Sequence, residues 1–111
     1  MTTEQKNTLI HAINHFGVDH QIDKAIEEMG ELITALARRR LDRSRKEDIA
    51  EEIADVLITA NQLRIIFGGE LVDELIDQKL SRLEATINGD WRRQERIMPK
   101  GMVVHRSVSD L

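Results

Sequence analysis

Glu27-Glu28-Met29-Gly30-Glu31 and Glu51-Glu52-Ile53-Ala54-Asp55 are two acidic clusters inside segments whose apolar residues follow the spacing of largely buried helices. Burying one unpaired carboxylate costs on the order of several kcal/mol. Acids at positions i and i+3 of a helix point in similar directions, so each cluster presents its carboxylates together. Two such clusters on neighbouring helices therefore require a counter-charge, and a divalent cation is the simplest one.

The spacing of apolar residues around the clusters predicts four helices. Thr2 or Thr3 caps the first helix, and Gly17, Gly68 and Gly89 end helices, because glycine is typical of helix C-termini. Apolar residues at helical spacing are expected to face inward, Phe16 and Phe67 among them and, on the fourth helix, Leu71, Leu75, Leu80, Leu83 and Ile87. The helices are expected at about residues 3–16, 19–39, 46–67 and 70–88. The fold class is therefore all-α, with residues 1–89 as one helical domain and residues 90–111 as an irregular extension.

Composition narrows the class of protein. The chain has 111 residues, of which 41% are hydrophobic and 32% charged, as in a soluble globular domain. Residues 1–89 hold 11 Lys and Arg against 17 Asp and Glu, whereas residues 90–111 hold 5 against 3, so the extension is basic. The net charge of -4 argues against stable nucleic-acid binding. With no cysteine, no signal segment and no apolar stretch near the ~20 residues that cross a bilayer, a cytoplasmic location is expected.

The acids resemble a metal site more than a solvated helix face. Taken singly, such a pair of acids is typical of ordinary surface decoration, and Lys24 stands at i-4 to Glu28, where it is expected to form a local ion pair. No Lys or Arg stands three or four positions from Glu52 or Asp55. The helix dipole reaches only about one turn and does not account for Asp55. The predicted ligands of Mg²⁺, with Mn²⁺ as the other candidate, are Glu28, Glu31, Glu52 and Asp55.

Other metal sites fit the sequence poorly. A carboxylate-bridged di-iron bundle needs Glu-x-x-His on two helices, and no histidine of this chain has a glutamate three residues before it. His11 and His15 are spaced to bind zinc, but no HExxH motif surrounds them. The basic stretch of residues 38–46, with six Lys or Arg and one acid, is interpreted as a solvated connection.

The two clusters, in the order Glu27-Glu28-Met29-Gly30-Glu31 and then Glu52-Ile53-Ala54-Asp55, resemble the EExxE and ExxD signature of the MazG-like all-α nucleoside triphosphate pyrophosphohydrolases. Lys79-Leu80-Ser81-Arg82-Leu83 is similar to the family's basic stretch on the last helix, so the resemblance covers about residues 20–88. It implies an antiparallel four-helix bundle completed by a second subunit, in a homodimer or a tetramer.

The resemblance also implies an activity, the Mg²⁺-dependent hydrolysis of a nucleoside or deoxynucleoside triphosphate to the monophosphate and pyrophosphate. By position, the acids named above would bind the metal, with Glu27, Glu28 and Glu52 as catalytic residues. Which carboxylate takes the proton of the attacking water stays open. Lys79, Arg82, Gln21 and Lys24 are candidate substrate-binding residues, and Gln21 has an amide that could contact a base.

A second hypothesis keeps the bundle without catalysis. In it, the chain is an interaction module whose basic extension binds an acidic partner or nucleic acid. Acids in an apolar notch favour the enzyme, because such a module has no evident need for them.

Overall fold

The computed structural model describes the backbone of residues 1–97 and the side chains of residues 1–89, and every regular element within that part is a helix. The predicted all-α class is therefore confirmed for these residues. No helix among them is long and apolar enough to cross a membrane. The helices are α1 (Thr3–Phe16), α2 (Val18–Arg39), α3 (Lys46–Phe67) and α4 (Gly69–Ile97).

Local capping and backbone geometry explain both ends of α1 and the end of α3. Thr2 Oγ1 accepts a hydrogen bond from the Gln5 backbone N–H at 3.1 Å, and Gln5 Oε1 accepts one from the Thr2 N–H at 2.9 Å, which forms a capping box. Gly17 ends α1 with φ 97° and Gly68 ends α3 with φ 117°. Only glycine adopts such angles without strain, so these two predicted ends are confirmed.

The prediction that Gly89 ends the last helix is wrong, because α4 continues through it to Ile97. Gly89 is not among the glycines with positive φ, so its backbone does not turn away from the helix. A glycine inside a helix costs about 1 kcal/mol relative to alanine, which the rest of a long helix can tolerate. Residues 98–111, which make up most of the predicted extension, lie outside the described residues.

The chain divides into two compact units, Met1–Val72 and the part that begins at Asp73. In the first unit α2 packs on α3, and α1 packs on both. α2 and α3 run antiparallel, because Gln21 at the start of α2 bonds Gln62 near the end of α3, while Glu28 further along α2 lies beside Asp55. The buried residues of this unit are equally divided between apolar and polar side chains: Leu9, Ile13, Ala25, Ala35, Gln21, Glu28, Thr59 and Gln62.

Several apolar residues that were predicted to face inward are exposed in the single chain. Phe16 and Phe67 are more than half exposed, and so is Ile33 at 67%. The apolar residues of α4 that were expected inside are also exposed, namely Leu71, Leu75, Leu80, Leu83 and Ile87. A chain this short buries a smaller fraction of its surface than a longer one does, so the three packed helices cover only part of each apolar stripe. The four-helix bundle and its completion by a second subunit stay predictions.

The connection between α2 and α3 is a defined turn. The Arg43 N–H donates to the Arg38 carbonyl at 3.1 Å, and the Asp42 N–H donates to the Arg39 carbonyl at 3.1 Å. Asp42 has φ 53°, in the left-handed region. These two bonds and this angle form a Schellman motif, with Asp42 at the position where glycine is usual. Most of the basic stretch, residues 38–46, is exposed, as predicted, but its backbone forms a hydrogen-bonded turn.

We expect Asp42→Val to lower the free energy of unfolding by about 1 kcal/mol, because a β-branched side chain is strained at positive φ. Asp42→Gly, the matched control, should stay within about 0.5 kcal/mol of the wild type, since glycine gains conformational ease there but adds unfolded-state entropy. Urea denaturation followed by circular dichroism measures both. Equal stabilities of the two variants would contradict the assignment of a Schellman turn.

Candidate metal centre

The Glu28 carboxylate is the most buried acidic group of the described chain. The residue is 6% exposed and lies on the face of α2 that packs against α3. Its Oε1 is 3.1 Å from Lys24 Nζ, the ion pair expected from the sequence. Its Oε2 is buried and has no hydrogen-bond partner among the residues that the structure describes. A buried oxygen without a partner loses its hydration without compensation, so this atom is suited to bind a cation or a hydrogen-bond donor.

Glu52 and Asp55 on α3 meet Glu28 at the interface between the two helices. Carboxylate oxygens of these three residues lie within 4.8 Å of one another. Glu52 is half-buried, and its Oε2 is a second buried oxygen that lacks a partner within the described part of the chain, whereas Asp55 is exposed. We call these three residues the interhelical group. Three of the four predicted metal ligands are therefore in one place.

A second group of acids shares Glu28. Oxygens of Glu27, Glu28 and Glu31 also lie within 4.8 Å of one another, along a single helix. Glu31, the fourth predicted ligand, thus belongs to this group, and no common cluster contains both Glu31 and Asp55 among the described residues. The two groups form one acidic region that spans α2 and α3 and has Glu28 at its centre.

The charges of this region perturb one another. The pKa of Glu31 is raised above its usual value, chiefly by the negative charge of Glu28, then by desolvation, and then by Glu52 and Glu27. The pKa of Lys24 is also raised, first by its hydrogen bond to Glu28 and then by the charge of Glu27, which is 3.7 Å away. Lys24 thus interacts with three of the five acids, Glu27, Glu28 and Glu31. Oxygen ligands in this number and spacing could hold a metal ion.

Two cavities border the acidic region. The first, of about 550 Å³, opens along Glu27, Glu31 and Glu52 and reaches the turn between α2 and α3. We call it the groove. The second, of about 260 Å³, lies among α1, α2 and α3 and touches Glu28 and Asp55. We call it the inner cavity, and its other lining residues are Thr8, Leu9, Ala12, Gln21, Lys24, Ile58, Thr59 and Gln62.

Buried amides form one wall of the inner cavity. Gln21 Nε2 donates to Gln62 Oε1 at 2.9 Å, and Gln62 Nε2 donates to the Leu9 carbonyl at 3.5 Å. His20 Nδ1 lies 2.8 Å from Gln21 Oε1. These bonds tie the three helices together, so Gln21 has a structural role besides the substrate contact predicted for it. The second hydrogen of its amide group is still available to a ligand.

The predicted basic residues occupy different places. Lys24 lies beside the acids, where it is engaged with Glu27 and Glu28. Lys79 and Arg82 are exposed on α4, in the second unit. Sequence reasoning missed Arg38, Arg43 and Ser44, which line the groove. The sequence contained one indication of the turn that forms part of this groove. Asp42 is the single acid in an otherwise basic run, and Asp tolerates the left-handed conformation of such a turn better than most residues.

Comparison of the chain with protein-family models, with curated proteins and with solved structures found no match.

We expect Mn²⁺ or Mg²⁺ to stabilise the wild-type protein, by about 2.7 kcal/mol at a free concentration roughly 100 times the dissociation constant. Glu28→Gln should remove this effect, because it takes away the carboxylate common to both groups. Glu51→Gln is the matched control, since Glu51 is next to Glu52 but belongs to neither group. Differential scanning fluorimetry with and without each ion provides the measurement. A metal-induced shift that survives Glu28→Gln would place the cation elsewhere.

We expect Glu31→Gln to stabilise the metal-free protein at pH 7 but not at pH 4. Because the folded state raises the pKa of Glu31, it holds that proton to higher pH than the unfolded chain, and its stability falls as pH rises above about 4.5. Below that pH the wild-type carboxyl is protonated and resembles the amide. Urea denaturation at the two pH values, in the presence of a chelator, measures the difference. A difference that does not change with pH would show that the repulsion is absent.

Proposed function

We propose that this chain is a Mg²⁺-dependent hydrolase that converts a nucleoside or deoxynucleoside triphosphate into the monophosphate and pyrophosphate. The observation that carries the proposal is the pair of buried oxygens, Glu28 Oε2 and Glu52 Oε2, that lack a partner among the described residues. They lie in a cluster of carboxylates that borders two cavities. A cation there would satisfy both oxygens, and the cavities leave room for the two ends of an elongated substrate.

The residues have distinct proposed roles. Glu28, Glu52 and Asp55 would hold Mg²⁺ between the helices, and Glu31 would contribute from α2. Bound Mg²⁺ would neutralise charge on the phosphate oxygens and acidify a water molecule for attack on the α-phosphorus. One of the carboxylates of the acidic region would accept the proton of that water, and the exposed Glu27, outside the interhelical group, is a candidate for this role. The bond from the α-phosphorus to the bridging oxygen then breaks, and pyrophosphate leaves.

The inner cavity is the proposed site of the base. Its wall combines apolar side chains, such as Leu9 and Ile58, with the Gln21 amide. Apolar walls with a few polar groups are typical of small-molecule sites. Its volume of about 260 Å³ is sufficient for one small heterocycle. Membership of the MazG-like family and assembly into a homodimer or tetramer belong to the same proposal, and Lys79 and Arg82 stay candidate substrate-binding residues.

The hydrolase accounts for the buried carboxylates better than the non-catalytic module does. A binding module that uses the basic extension gains nothing from a buried glutamate oxygen without a partner, which would only reduce the stability of its helices. In a metal-dependent active site the same oxygens bind the ion, and this binding offsets the free-energy cost of burying them.

We expect the wild type to release pyrophosphate from at least one nucleoside triphosphate in the presence of Mg²⁺, and Glu52→Gln to lower kcat by at least about 100-fold. Glu51→Gln again serves as control and should keep near wild-type turnover. Circular dichroism of each variant reports whether the helices persist.

The screen covers the ribonucleoside and the deoxyribonucleoside triphosphates, with pyrophosphate detected by a coupled assay. No turnover on any of them would refute the hydrolase. Full activity of Glu52→Gln would remove Glu52 from the site.

A further inference from the structure

The groove combines acidic and basic walls. Glu27, Glu31 and Glu52 line it along the acidic region, and Arg38, Arg43 and Ser44 line it where the turn leads from α2 into α3. The basic stretch was interpreted from sequence as a plain connection, and the catalytic proposal gives it no role. Two arginines that share a cavity with a candidate metal site suggest that this cavity takes an anion that is also bound to the metal.

The Schellman turn brings the two arginines to the same cavity. The Arg38 carbonyl accepts hydrogen bonds from the Leu41 and Arg43 N–H groups, at 3.0 and 3.1 Å. Neither Arg38 nor Arg43 forms an ion pair with a carboxylate of the described residues. The nearby Arg45 does form one, because its Nε is 3.8 Å from Asp48 Oδ2. Arg38 and Arg43 therefore keep their guanidinium groups available for a ligand in the groove.

The charge balance of the groove defines the ligand further. Asp48 also lines it, so four acids face two arginines, and a free anion would be repelled. One divalent cation on the carboxylates offsets this excess of negative charge. Polyphosphate is the chemistry that binds a divalent cation and arginines at once, since each guanidinium can donate two parallel hydrogen bonds to phosphate oxygens.

We propose that Arg38 and Arg43 bind the two phosphate groups that leave as pyrophosphate, and this inference rests on the proposed function. The inner cavity and the groove border the same acidic region, the first at Glu28 and Asp55 and the second at Glu31 and Glu52. A substrate with its base in the inner cavity has its α-phosphate at the acids. Its β- and γ-phosphates then extend into the groove toward the arginines, which neutralise the charge of the leaving group.

The test measures binding of inorganic pyrophosphate in excess Mg²⁺ by isothermal titration calorimetry, which needs neither turnover nor knowledge of the base. Arg38→Gln and Arg43→Gln should each weaken binding about tenfold, the typical effect of losing a charge-assisted hydrogen bond. Arg39→Gln and Arg40→Gln are matched controls, because these residues line a separate cavity with Leu36, Ala37 and Leu41. The controls remove the same charge and should stay within about threefold of the wild type.

Two further readouts separate this inference from its alternatives. Thermal stabilisation by Mg²⁺ alone should be unchanged in Arg38→Gln and Arg43→Gln, since neither arginine is a metal ligand. Pyrophosphate without Mg²⁺ should not bind detectably to the wild type.

The inference is overturned if both arginine variants bind magnesium pyrophosphate as tightly as the wild type, or if the control variants lose as much affinity. A wild type that hydrolyses triphosphates while the arginine variants bind normally refutes only the role of the arginines. If the wild type shows no turnover but the arginine variants selectively lose pyrophosphate binding, only the hydrolase is refuted. The groove would still be shown to bind a metal-linked polyphosphate.

Discussion

Repulsion among carboxylates at the interface of α2 and α3 is the constraint on which the rest of the structure depends. Glu28, Glu52 and Asp55 bring their oxygens within 4.8 Å of one another, and Lys24 is the ion-pair partner that the described residues supply. The same two helices form the largest contact of the first unit, so packing brings the like charges together. A cation bound there would turn a repulsive contact into a link between the helices, which couples the occupancy of the site to stability.

Features determined by neighbouring residues were predictable from the sequence, and features determined by distant ones were not. The limits of α1 and α3 depend on Thr2, Gly17 and Gly68, and their chemistry is local. Gly89 was misjudged, because a glycine ends a helix only where its backbone turns to positive φ, and the residues around it do not reveal that. Burial also depends on what covers a face. Apolar spacing correctly predicts a stripe but cannot say that one chain leaves Phe16 and Phe67 exposed.

The acidic site followed from the sequence in part, because i, i+3 spacing places the carboxylates of each cluster on one face of its helix, whereas the packing of α2 on α3 brings the two faces together. The groove beside these acids could not be predicted from the sequence in the same way. The groove depends on Asp42 in a left-handed conformation, which brings Arg43 back beside Arg38. Gly30 lines the groove as well, in the middle of α2, where glycine costs about 1 kcal/mol relative to alanine.

The most direct test of the central claim is a crystal structure of the protein grown with Mn²⁺, with the ion located by its anomalous scattering. The account predicts a peak between α2 and α3, bound by oxygens of Glu28, Glu52 and Asp55 at distances close to the approximately 2.0–2.1 Å usual for Mg²⁺. Glu28 Oε2 and Glu52 Oε2 should be among its ligands. Anomalous peaks only at other positions, with Lys24 as the sole partner of Glu28, would contradict it.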